Sequence, residues 1–106
     1  MNKDIKRALK DHDEDEPLIH IQTIAYAERF ADKLFRSGVQ KPIISTGGMG
    51  KIYFQWSNKS AIAMISIMET GKLMFSSSYG ESYEWMLGEP IPTKVFKILR
   101  EIGANQ

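Results

Sequence analysis

At Pro42 the spacing of apolar residues changes from a helical period to a period of two, and this change fixes what the chain can fold into. Upstream, Ile21, Ile24, Ala25, Ala27, Ala31, Leu34 and Phe35 recur at steps of about three to four, with Glu28, Arg29, Asp32, Lys33 and Arg36 between them. That is a helix with one apolar stripe. Downstream, Ile52, Phe54 and Trp56 alternate with Tyr53 and Gln55, which reads as a strand with one heavily apolar face. A helix followed by a run of strands, rather than a repeated strand–helix unit, is the order of an α+β domain.

The boundaries follow from local chemistry. Pro17 is well suited to a first helical position and the acidic run 11–16 to the positive end of a helix dipole, so the first long helix is expected over 17–37, with Gly38 as its stop. Ahead of it, Ile5, Ala8 and Leu9 have helical spacing. Residues 1–16 are read as an acidic arm, flexible unless those apolar residues dock. After the strand around 52–56, "SNKS" at 57–60 is a turn, 61–68 is apolar on both faces except at Ser66, "ETGK" at 69–72 turns again, and Leu73, Phe75, Ser77 and Tyr79 alternate with Met74, Ser76 and Ser78. Tyr83, Trp85 and Leu87 alternate like a short edge strand, although Gly80, Gly88, Pro90 and Pro92 punctuate them. Beyond Pro92, Val95, Phe96, Ile98, Leu99 and Ile102 make a second helical stripe ending at Gly103. The expected fold is a single α+β domain over 1–106: helix, antiparallel three- to four-stranded meander, C-terminal helix, with the helices packed on one sheet face.

Composition narrows function mostly by exclusion. Fourteen Lys and Arg against thirteen Asp and Glu leave a formal charge of +1, so no global field draws the chain to nucleic acid or an anionic membrane. The chain has no cysteine, which removes disulfides, thiolate nucleophiles and cysteine-ligated zinc. No apolar segment follows the basic start, and no apolar run approaches membrane-spanning length. A cytoplasmic protein without membrane partners is expected.

The segment "PIISTGGMGKIYFQW", through Pro42, Ile44, Thr46, Gly50, Ile52, Phe54 and Trp56, resembles a set of small, largely uncharacterised bacterial and mobile-element proteins in which a helix precedes such a strand. The turn there is usually acidic, whereas Gly47, Gly48 and Met49 stand here. The resemblance covers roughly 27–83 and implies the helix-then-meander fold; it implies no catalytic residue.

Chemical motifs are sparse. "STGGMGK" at 45–51 has glycines and a lysine, but Lys51 leads into a strand rather than a helix, so a strand-to-strand turn is expected in place of a phosphate loop. His12 and His20 have neither zinc-protease spacing nor an EF-hand ladder around them. No metal or cofactor site is expected. No nucleophile–base–orienter set can be assembled from two histidines, which weighs against an enzyme without excluding a small RNase-like toxin built on Arg, Lys, Glu and Tyr.

The aromatics carry more. Tyr53, Gln55, Tyr79, Tyr83 and Trp85, with Ser76 and Ser78, are expected on the sheet face away from the helices, where large rings with polar tips suit a protein partner. The competing reading has them covered by the 80–92 segment. Because Lys51, Lys59 and Lys72 fall on separate turns, nucleic acid ranks below protein; its candidates are Lys51, Tyr53, Lys72 and Tyr79. A small protein-binding module is the leading expectation: an inhibitor, immunity or accessory protein of a phage or mobile element that occludes its partner. A nucleic-acid-binding or toxin domain and a self-assembling structural protein, including a homodimer, are the alternatives.

Overall fold

Helix α2 (Ile21–Ser37) faces the core with Thr23, Ala27, Phe30, Ala31 and Leu34. This stripe differs from the sequence expectation at its margins: Ile21 and Phe35 are each 77% exposed, and Phe30 is fully buried. The start also differs. In this computed structural model, which describes residues 2–10 and 19–104, α2 begins at Ile21, not Pro17, because His20 is extended (φ −64°, ψ 139°) and its Nδ1 accepts the Gln22 N–H at 3.0 Å. An imidazole therefore does the capping. The acidic run and Pro17 lie outside the described residues.

Helix α1 (Asn2–Lys10) forms and docks. Ile5 and Ala8 are buried, Leu9 packs against the core, and Asp4 pairs with Lys41 at 3.0 Å. Helix α3 (Thr93–Ala104) buries Val95, Ile98, Leu99 and Ile102, and the Arg100 guanidinium lies 5.6 Å from the centre of the Phe96 ring. Gly103 does not stop α3 but lies within it: a Cβ there would meet Gln40 Oε1 at 2.8 Å, so glycine is what admits the Gln40 side chain.

The sheet has five antiparallel strands in sequence order: β1 (Ile43–Gly47), β2 (Lys51–Ser57), β3 (Ile62–Ile67), β4 (Lys72–Ser77) and β5 (Ser82–Met86). Strand β1 exceeds the three- to four-strand expectation. It pairs Ile44 with Phe54 and Thr46 with Ile52, yet its apolar residues are adjacent rather than alternating, so the sequence carries little strand signal there.

All three helices pack on one face of this sheet, over Ile52, Phe54, Trp56, Ala63, Ile65, Ile67, Leu73 and Phe75. The Phe30 ring joins helix to sheet, 5.5 Å from Phe54 and 6.4 Å from Trp85, and Phe54 lies 6.4 Å from Trp56. Such tilted aromatic pairs add to what burial alone contributes. Trp56 satisfies its indole by donating to Gln40 O at 2.6 Å. At the β2–β3 turn, Asn58 Oδ1 accepts from the Ser60 and Ala61 N–H groups while Nδ2 donates to Ile102 O, which ties the turn to α3. No helix of the described residues is long and apolar enough to cross a membrane.

Candidate functional site

Antiparallel partners share a face, so the register assigns every strand residue to the helix side or to the other. On the other side, one row runs Ile43–Gln55–Met64–Ser76–Ser82 and the next Ser45–Tyr53–Ser66–Met74–Glu84. Lys51, Met68, Lys72 and Met86 flank the second row, and Ser57, Ile62 and Ser78 flank the first. No described element packs across these rows. Ile43 is 68% exposed, Ile62 43% and Met86 42%, with Tyr53, Met64 and Met74 half-buried among them.

The methionines are the signal that sequence reasoning missed. Of six in the chain, the five among the described residues are all off the core: Met64, Met74 and Met86 by register, Met68 just beyond β3, and Met49 at the β1–β2 connection, 82% exposed with φ 68°. The buried core is filled by Ile, Leu, Val, Ala, Phe and Trp. Methionine is unbranched and polarizable, and on a surface it suits contact with partners of varied shape.

The expected aromatic face divides. Tyr53 and Gln55 lie on the uncovered side as anticipated. Tyr83 and Trp85 do not: Tyr83 pairs with Phe75 and Trp85 with Leu73, which puts both on the helix side. Trp85 is buried against Phe30, and the Tyr83 ring lies 6.1 Å from that of Phe75. The cause is the β4–β5 connection, which carries the odd-numbered core parity of β4 into β5. Tyr79 sits in that connection, half exposed, and lines a cleft with Glu81, Lys94, Lys97, Ile98 and Glu101 on the α3 side. Tyr83 donates to Glu81 Oε2 at 2.9 Å; desolvation first, then this bond and the carboxylate charge, raise its phenol above the ordinary tyrosine range.

The glycine-rich segment is a hairpin connection, a 3₁₀ turn at Gly48–Gly50 between β1 and β2. Gly47 is required for a reason that concerns the uncovered face. A Cβ there would collide with the Tyr53 ring, which lies over the Gly47 backbone. Beyond the turn, His20, Met49, Gly50, Lys51, Met68, Glu69 and Thr70 line a cleft of about 220 Å³.

The charges are local. Lys72 pairs with Glu84 at 2.9 Å on the uncovered face, Lys51 stands at its end, and Lys59 is in the β2–β3 turn. Among the described residues no group of three His, Cys, Asp or Glu could hold a metal; His12 lies outside them. The β5 edge is closed in part: Leu87 N–H turns inward to Gly71 O, while Met86 N–H turns outward and donates to Glu89 Oε1, both at 2.8 Å. Comparison with protein-family models, with curated proteins and with solved structures returns no match to this chain.

Proposed function

We propose that this chain is a small non-enzymatic protein-binding module of the cytoplasm, acting as an inhibitor, immunity or accessory protein by occluding another protein surface. The observation that carries this reading is the segregation of methionine: Met64, Met74 and Met86 lie on the sheet face that no described helix covers, and no described methionine is in the buried core. A face on which Tyr53, Met64, Met74 and Ile62 alternate with serines, with Lys51, Lys72 and Glu84 toward its ends, mixes apolar contact area with polar groups as docking surfaces do. Nucleic acid ranks lower, since the face carries one aromatic ring, Tyr53, and one of its two lysines is held by Glu84.

The test compares capture by wild type, by Met64→Glu/Met74→Glu on the uncovered face, and by Tyr79→Ala on the helix side, each verified as folded by circular dichroism. A protein that binds wild type and Tyr79→Ala as purified components, and loses the double variant, supports the reading. Binding that ignores the double variant, or substrate turnover by the purified chain, overturns it.

A further inference from the structure

Resting on the reading of the uncovered face as a protein-binding surface, we infer that, while no other protein occupies it, it is covered by the same face of a second copy, related by a two-fold axis across the strands. The axis runs midway between the Gln55–Met64–Ser76 and Tyr53–Ser66–Met74 rows, with β3 over β3.

The register supports this pairing. Such an axis keeps each strand above its own copy and exchanges the two central rows. Met64 then faces Ser66 of the second copy, Met74 faces Ser76, Tyr53 faces Gln55 and Ile43 faces Ser45. In these central rows each larger side chain meets a smaller one, as interdigitating sheet faces about 10 Å apart require, and at the margin of β3 Met68 meets Ile62. At the margins Lys51 faces Ser57, Lys72 faces Ser78, and Glu84 faces Ser82, so no like charges oppose. The other face-to-face two-fold, along the strands, sets Met64 on Met64, Tyr53 on Met74 and Lys51 on Lys72. Bulk meets bulk and like charges meet.

Area and edge chemistry point the same way. Five strands at about 4.8 Å spacing and roughly 3.3 Å per residue give a face on the order of 500 Å² in projection. Two copies therefore bury on the order of 1,000 Å² or more, at the lower margin of specific interfaces. Edge-to-edge pairing is disfavoured at the end of β5, where Glu89 occupies the outward Met86 N–H.

Sedimentation of the full chain over a concentration series tests the register. Ser76 is exposed, so Ser76→Met leaves the fold intact, as circular dichroism verifies, but sets methionine against Met74 of the second copy. Ser76→Met is expected to weaken dimerisation at least about 30-fold. Met74→Ser/Ser76→Met, which exchanges bulk and gap, is expected to restore it to within about threefold of wild type. A monomer at every concentration overturns the inference; if another purified protein still binds through the Met64/Met74 face, the protein-binding reading stands without it. A dimer indifferent to Ser76→Met, or one weakened by it and not restored by the exchange, also overturns the inferred pairing.

Discussion

The two faces of one sheet are built from the same strands, residue by residue in alternation, and differ in the kind of apolar side chain each carries. The helix side uses Ile52, Phe54, Trp56, Ile65, Ile67, Leu73 and Phe75, all essentially closed to solvent; branched and aromatic side chains have few rotamers and specify one packing. The other side uses Met64, Met74, Met86 and Tyr53 with serines between them. A chain that needed only a core would have no reason to keep its methionines out of it, since methionine fills core gaps readily. The contrast separates a closely packed helix side from an uncovered side of different side-chain chemistry.

The largest effect expected on this comparison is at the shared aromatic joint. Phe54→Ala removes a ring packed between Phe30 and Trp56 and is expected to cost about 3–5 kcal/mol in urea denaturation, a large fraction of the stability of a domain this size. A cost below about 1 kcal/mol would break the assignment of this face as the scaffold. Next comes Gly47→Ala, which must push the Tyr53 ring off the β1 backbone; about 1 kcal/mol is expected. The loss should largely disappear in a Tyr53→Ala background, and an undiminished loss there would show that the cost lies in the turn itself.

Smaller still, Met74→Ser is expected to change the stability of the dilute protein by no more than about 0.5–1 kcal/mol, because the side chain stands on the uncovered side. A larger cost would put Met74 in the scaffold. The smallest effect concerns Tyr83. Its phenol is raised in the folded chain, so the native state holds that proton more tightly than the unfolded state does. The contribution is complete below about pH 10, the ordinary tyrosine range, and declines as pH rises through the elevated value. Tyr83→Phe should flatten this alkaline decline in a thermal-melt series, and an unchanged slope would remove Tyr83 as its source.

The parts of this fold that were legible in sequence are those with unbroken alternation. The β2 pattern of Ile52, Phe54 and Trp56, the β4 pattern of Leu73 and Phe75, and the α3 stripe each announce a buried face within one element. What crosses between elements was not legible. The parity of β5 depends on the conformation of the β4–β5 connection, so Tyr83 and Trp85 were expected on the wrong side. The α2 start depends on a histidine cap whose imidazole orientation no pattern encodes. Strand β1 carries Ile43 and Ile44 side by side, and only its pairing with β2 makes it a strand. The role of Gly47 depends on where the Tyr53 ring lies, which only the three-dimensional structure supplies. The methionine distribution could have been found: once β3 and β4 are given a parity, Met64 and Met74 fall opposite the core.

The most direct test of the contrast between the faces is mild peroxide oxidation of the native protein, with each methionine followed by mass spectrometry. Sulfoxide makes the side chain polar. Met49, Met64, Met68, Met74 and Met86 are expected to oxidise in dilute protein while the thermal transition is kept, and association through the uncovered face is expected to be lost. Collapse of the fold on oxidation of Met64 and Met74, or association that survives it, would contradict the account.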